Sequence, residues 1–299
     1  MKHWIMAFRP RTLPLAFAGW LVGVTLASYH VNISWSLALL TLLTAFLLQL
    51  LSNLANDYGD AVSGVDSDKR AGPDRMVQSG RISRKAMKRA MALFTFLCLI
   101  SGLILVFKSF PENLTQSIFF IVLGLVGIAA AIKYTVGDNP YGYAGFGDLF
   151  VFVFFGIVLV GGTSYLQTKS LDWLSLLPAA SMGAFSVGVL NVNNIRDISS
   201  DKKAGKNSIP VRIGKKSAVV YHAILLSVGL LATLVFTIAT YKHPVQLLFL
   251  ITGLLFYQNA LGVANKPLTQ LDPELKKMAL STLLFAVLFA TGQWIANLL

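Results

Sequence analysis

Nine stretches of about 20 predominantly apolar residues recur along this chain, near 13–29, 34–56, 86–107, 116–134, 147–167, 173–195, 217–240, 244–263 and 278–297. A helix rises ~1.5 Å per residue and bilayer hydrocarbon is ~30 Å thick, so each run can cross once. Backbone in hydrocarbon finds no water to bond, which leaves helices as the form such runs can take. The runs therefore predict an all-α, polytopic membrane bundle of about nine transmembrane helices, read as one integral membrane domain over 1–299. Composition agrees. Only 13% of residues are charged, where a soluble domain carries ~25%. The first apolar run is long enough to span rather than be cleaved. The single cysteine, Cys98, lies in an apolar run and cannot form an internal disulfide.

The connections alternate between short and long, and charge follows them. Of the 25 Lys and Arg residues, 22 fall on the N-terminal segment, the long connections or the adjoining helix ends. The short connections hold only Lys108, Lys169 and Lys242. The positive-inside rule then places the N-terminus and long loops in the cytoplasm, with an odd span count sending the C-terminus to the other side of the cell (inner) membrane. The formal charge of +12 is assigned to topology and to anionic lipid headgroups, and no nucleic-acid partner is expected.

Acids follow the same split, and they are clustered. Asn56, Asp57 and Asp60 close the second run, followed by Asp66 and Asp68. Asn193, Asp197 and Asp201 close the sixth. Residues four apart share a helix face, so Asn56 and Asp60 form one stripe and Asn193, Asp197 and Asp201 another. Gly59 and Gly64 would let the chain leave the helix and return Asp66 to the same spot. Each cluster presents an amide and two carboxylates at a helix end. Such oxygen-only sets suit Mg²⁺, which takes one or two carboxylates plus waters and substrate phosphates. A single D-x-x-x-D reads as a solvated acidic loop, whereas two amide-plus-diacid clusters at corresponding ends of two spans favour a metal site.

Basic residues accompany the acids. Arg75, Arg81 and Lys206 follow the two clusters and fit direct bonds to phosphate. Arg84, Lys85, Lys88, Arg89, Lys215 and Lys216 read as topology signals. Asp57 lies on a neighbouring face and either touches substrate or positions a Lys or Arg. A diphosphate at the membrane surface with apolar helices behind it points to a lipid substrate, and a polyprenyl diphosphate meets both demands.

With these residues assembled, the chain resembles the UbiA superfamily of membrane prenyltransferases over essentially its whole length. Asn56-Asp-Tyr-Gly-Asp60 resembles that family's first Asp-rich motif, and Asp197-x-x-x-Asp201 its second. Gln78 to Ser83, and Gly205-Lys206 through Arg212-Ile-Gly214, match the family pattern as well. Within it the resemblance is closest to members acting on 1,4-dihydroxy-2-naphthoate in menaquinone biosynthesis. Phe8-Arg-Pro-Arg-Thr-Leu-Pro14, the ten-residue step from Asn56 to Asp66, and Tyr141-Gly-Tyr-Ala-Gly-Phe-Gly-Asp148 carry that comparison. Gly64 stands where the broad family has an Asp, and in this subgroup Asp66 takes that role.

The resemblance implies a bundle around a central cavity under cytoplasmic cap loops, and Mg²⁺ as cofactor. It implies transfer of a polyprenyl group from polyprenyl diphosphate to 1,4-dihydroxy-2-naphthoate, with loss of CO₂ and diphosphate. Asn56, Asp60, Asp66, Asn193, Asp197 and Asp201 would hold Mg²⁺-diphosphate. Arg11, Lys133 and Tyr134 would serve the aromatic acid or the cap, or act as interfacial anchors. Two alternatives stay open at this point: another aromatic acceptor, such as 4-hydroxybenzoate or homogentisate, or a transporter with acidic ion sites. Ionisable groups are absent from mid-span except His222, which weighs against the transporter.

Overall fold

The computed structural model describes residues 1–63 and 75–299, all of whose regular structure is helical. Among these residues the helices are α1 (Lys2–Phe8), α2 (Leu13–Ala27), α3 (Trp35–Val62), α4 (Arg84–Ser109), α5 (Leu114–Lys133), α6 (Gly147–Thr168), α7 (Trp173–Arg196), α8 (Ile198–Lys203), α9 (Ile209–Ala239), α10 (Pro244–Asn265) and α11 (Asp272–Leu298). Eight of them are long and apolar enough to cross a bilayer. The protein is a multi-pass membrane protein.

The ninth expected span, α2, has 15 residues, 12 of them buried. At ~1.5 Å per residue it measures about 22 Å, and it stands inside the bundle against α3, α6, α7 and α11. Prolines set where several helices begin. Pro10 opens a 3₁₀ turn ahead of α2, while Pro210, Pro244 and Pro273 sit in first turns, where a missing N–H leaves no bond unmade. Ser83 and Asn113 cap α4 and α5 by accepting from Ala86 N (3.2 Å) and Gln116 N (3.0 Å).

Several helices run past the apolar sequence on the face that carries the acidic clusters. α3 continues through Gly59 to Val62, so the chain does not leave the helix at Gly59. The second stripe is interrupted instead. α7 ends at Arg196, Asp197 sits off the helix at φ −93° and ψ 7°, and α8 resumes at Ile198. α9 contains a break at Gly214 (φ 79°, ψ 162°) that separates its first turn from the span.

The helices are buried unequally. In α7, 67% of the spanning window is inside the protein and in α11 56%, against 17% in α5. Phe185 of α7, Phe249 and Phe256 of α10, and Phe285 and Phe289 of α11 are buried and interlock as the core of the C-terminal half. Exposed Leu, Val and Phe on α4, α5 and α9 form the lipid-facing surface. α6 winds as a π-helix over Phe152–Gly161 and meets α7 backbone to backbone. A Cβ on Gly156 would lie 2.6 Å from the Ala179 carbonyl, and one on Gly183 would lie 2.8 Å from the Phe152 carbonyl. Small residues permit this approach where lipid gives helices no hydrophobic reason to associate. Gly183→Val is expected to lower stability by about 1–3 kcal/mol through overpacking, read as a lower unfolding temperature in detergent.

Candidate active site

α3, α4, α5, α6 and α7, with the start of α2, enclose a cavity of about 570 Å³. Along α3 its wall runs from Asn56 to Thr41, and along α6 from Phe150 to Leu166. Fifteen helical residues separate Asn56 from Thr41, so the cavity reaches about 22 Å into the bundle. Only its mouth is strongly polar. Seven of the expected site residues line it: Arg11, Asn56, Asp60, Arg75, Tyr134, Asn193 and Lys206.

The first cluster is set by the last turns of α3. Asp60 is 3% exposed. Its Oδ2 pairs with the buried Arg75 guanidinium, and its Oδ1 accepts from the Tyr143 hydroxyl at 2.7 Å. Asn56 Oδ1 lies 3.2 Å from the Thr135 hydroxyl, which donates to the Ala55 carbonyl at 3.0 Å and so ties the end of α5 to α3. Asp57 points elsewhere. Its carboxylate accepts the backbone N–H groups of Met76 (3.0 Å) and Val77 (2.9 Å), so it fixes the turn immediately after Arg75. Asp66 lies outside the described residues, as do Asp68 and Asp74.

The second cluster is built around Arg196, whose side chain is 1% exposed. Its Nε and Nη2 donate to the two Asp197 oxygens at 2.8 and 2.9 Å, Nη2 also reaches Asn193 Oδ1 at 2.8 Å, and Nη1 reaches Asp272 Oδ1 at 2.6 Å. Both Asp197 oxygens thus face an arginine rather than the cavity. Asp272 bridges onward to Arg11 at 3.1 Å, which fastens the start of α11 to the N-terminal arm. The same arm is held by α3, where Asn53 donates to the Phe8 carbonyl (2.8 Å) and to the Thr12 hydroxyl (3.0 Å). Arg9, at the turn, has a left-handed φ of 48° and lines the cavity.

Asp201 is 4% exposed, and Lys206 Nζ stands 3.4 Å from its Oδ2, an ion-pair distance without a formed hydrogen bond. Burial raises its pKa, the Lys206 ammonium opposes the rise, and the charges of Asp197 and Asp60 add to it. The charge of Asp60 therefore reaches Asp201. Tyr134 lies in the same field. Burial raises its pKa, the charges of Asp148, Asp60 and Asp201 raise it further, and Arg9 opposes them. Below Tyr134 an aromatic series descends along the wall. Tyr134 meets Tyr141 edge-on at 5.4 Å, Tyr141 stacks on Phe150 at 4.0 Å, and Phe150 on Phe154 at 6.2 Å.

Five expected residues stand apart from the cavity wall: Asp57, Asp197, Asp201, Arg81 and Lys133. Arg81 and Lys133 are exposed on the surface of the cap. In the other direction, sequence reasoning missed Asp272 and counted Arg196 only among the cations around the second cluster. Asp272 had only the signal of an acid at a helix start. Tyr141 and Phe150 were visible only as part of a motif, because stacking across a connection leaves no periodic trace.

The UbiA prenyltransferase family matches residues 13–283. The chain belongs to the UbiA prenyltransferase family. Among its curated relatives is the 1,4-dihydroxy-2-naphthoate octaprenyltransferase of Haemophilus influenzae, 44% identical over 98% of this chain and 96% of the relative. The enzyme of that name from Escherichia coli is 43% identical over 99% and 97%. The one from Mycobacterium tuberculosis is 41% identical over 80% and 79%. Solved structures share the fold at low identity. A UbiA homolog from Aeropyrum pernix superposes with a TM-score of 0.70 at 16% identity, covering 98% of this chain and 99% of that one. A UbiA homolog from Archaeoglobus fulgidus bound to GPP and Mg²⁺ gives 0.65 at 14%, covering 99% and 100%. Membership in this prenyltransferase family removes the transporter alternative.

The ion-pair network makes a ranked prediction. Arg196→Met leaves Asp197 buried without its guanidinium and is expected to lower stability by about 3–5 kcal/mol. Asp272→Asn keeps an acceptor at a site 39% exposed and is expected to lose less than about 1 kcal/mol. Unfolding in detergent ranks the two, and equal losses would contradict the central place of Arg196.

Proposed function

We propose that this protein transfers a polyprenyl group from polyprenyl diphosphate to 1,4-dihydroxy-2-naphthoate, releasing diphosphate and CO₂ in the step of menaquinone biosynthesis that yields demethylmenaquinone after oxidation. One observation carries the reading. Residues of both acidic clusters open on the polar mouth of one long apolar cavity, the shape needed by a substrate with a doubly charged head and a hydrocarbon tail. The relatives above 40% identity carry the name of this activity.

In this reading Asn56, Asp60, Asn193 and Asp201 face Mg²⁺-diphosphate, with Arg75 and Lys206 bonding phosphate oxygens directly. The donor set fits. It is all oxygen, and Asp201 Oδ2 is buried without a hydrogen-bond partner; among the described residues no three His, Cys, Asp or Glu side chains gather to hold a metal alone, so phosphate oxygens and water would have to supply the remaining ligands. A shared ion completed by substrate phosphates and water is what Mg²⁺ prefers. When bound it would neutralise charge developing on the leaving diphosphate. Asp197 takes a supporting place by holding Arg196, and Asp66 is expected to join the first cluster.

As the allylic C–O bond breaks, its electron pair leaves with the diphosphate and positive charge develops on the prenyl carbon. The faces of Tyr141 and Phe150 are placed to stabilise that charge, and the apolar wall keeps water from intercepting it. The ring carbon carrying the naphthoate carboxylate forms the new C–C bond. Loss of CO₂ then returns the electron pair to the ring, so no protein nucleophile is required. Arg9 and Arg11 lie at the mouth where an aromatic carboxylate would enter. The long loops and N-terminus face the cytoplasm of the cell membrane, as the basic asymmetry favours. The whole chain, 1–299, acts as one domain among lipids.

Purified protein supplied with 1,4-dihydroxy-2-naphthoate and a prenyl diphosphate is expected to release diphosphate and CO₂ in a Mg²⁺-dependent manner. Prenylation of 4-hydroxybenzoate in its place would overturn the acceptor assignment. Asp60→Asn and Asp201→Asn are each expected to reduce turnover by at least about 100-fold while the proteins stay folded.

A further inference from the structure

The connection between α5 and α6 reaches both acidic clusters through one residue. The Tyr143 hydroxyl donates to Asp60 Oδ1 at 2.7 Å, and Ser63 Oγ stands 2.9 Å from the same hydroxyl. The carboxylate can only accept, so the Tyr143 hydrogen goes to Asp60, while Ser63 Oγ also donates to the Gly59 carbonyl at 2.9 Å. The other side of the residue belongs to the second cluster. The Lys206 ammonium lies 5.9 Å from the centre of the Tyr143 ring, and Lys206 is itself paired with Asp201. The Tyr143 carbonyl accepts the Asn207 N–H at 2.8 Å. One residue on, the Ala144 carbonyl accepts from Arg212, whose Nε donates to the Asn207 carbonyl at 3.0 Å. Gly145 makes this docking possible. Its φ is +85°, and a Cβ there would lie 2.5 Å from Arg212 Nη2 and 2.6 Å from the Asn207 carbonyl.

We propose that Tyr143 is a positioning residue for the diphosphate site, aiming the Asp60 carboxylate and setting its spacing from the Asp201–Lys206 pair. The inference rests on the reading of the two clusters as that site. Asp60 and Asp201 are 141 residues apart in sequence, and their like charges act on one another. Mg²⁺ demands short, nearly octahedral contacts of about 2.0–2.1 Å, so two independently placed caps would serve it poorly. A phenol suits the task better than a second arginine. It fixes one oxygen of Asp60 with a neutral donor and leaves the carboxylate charge available, while its ring and backbone hold the opposite loop. Arg212 and Gly145 act through this docking and touch no substrate.

The test uses the full chain in detergent, with binding of inorganic pyrophosphate in the presence of Mg²⁺ measured by calorimetry alongside steady-state kinetics. Tyr143→Phe keeps the ring beneath Lys206 and removes only the hydroxyl. Its pyrophosphate affinity is expected to fall about five- to tenfold. KM for the prenyl diphosphate should rise comparably, with KM for the aromatic acceptor and the unfolding temperature unchanged. Gly145→Ala, which displaces the backbone docking, is expected to give the same loss of pyrophosphate affinity and rise in prenyl diphosphate KM, together with a lower unfolding temperature. Unaltered pyrophosphate affinity in folded Tyr143→Phe overturns the inference, as does an equal rise in both KM values, the mark of a general structural role. Asp60→Asn separates this from the underlying reading: if it too binds pyrophosphate normally, the site assignment itself fails.

Discussion

Hydrocarbon offers no partner to a peptide N–H or C=O, and the architecture follows from that constraint. Every spanning segment closes its own hydrogen bonds as a helix. Charged side chains are expelled to helix ends, and here they gather at the ends that meet the long connections. The reactive chemistry of such a protein therefore has one place to go, a cap where helices outrun the apolar sequence. α3 reaches Val62 and α7 reaches Arg196, and those extensions are the floor on which the polar mouth is built.

At the mouth the difficulty is to keep like charges together in a poorly solvated site. Three arrangements share the work. Arg75 and Arg196 sit buried beside Asp60 and Asp197, Asp57 accepts backbone amides to fix the turn that carries Arg75, and Asp272 joins Arg196 to Arg11. Buried pairs of this kind contribute little net stability, because desolvation offsets their attraction. Their consequence is geometric. They fix oxygen and nitrogen atoms from α3, α7, α11 and the N-terminal arm around one opening. Asp201 keeps one oxygen without a hydrogen bond, with the Lys206 ammonium at 3.4 Å from it.

Below the mouth the cavity is apolar and long. Its wall changes from Tyr134 and Tyr141 to Phe150 and Phe154, then to aliphatic residues. The gradation matches a substrate whose charge, reacting carbon and tail occupy successive depths. The π-helical winding of α6 over Phe152–Gly161 lies beside this wall, where an altered helical pitch re-aims Phe154 and Phe155 relative to an α-helix.

The sequence by itself determined the helical bundle, the face on which charge collects and the pairing of two acidic clusters, because these follow from local patterns. Apolar run length, charge sign and a four-residue repeat can each be read without knowing what lies opposite. The shortness of α2 was less legible, since a helix buried on all sides looks like any other apolar run. Tertiary structure alone decided which members of each cluster face the cavity. Asp57 and Asp60 differ by three positions on α3, yet one meets backbone amides and the other the mouth. Asp197 turns to Arg196 because α7 ends there and breaks the stripe. Asp272 and Tyr143 acquire their places from partners 76 and 83 residues away, contacts made by packing and invisible to any local pattern.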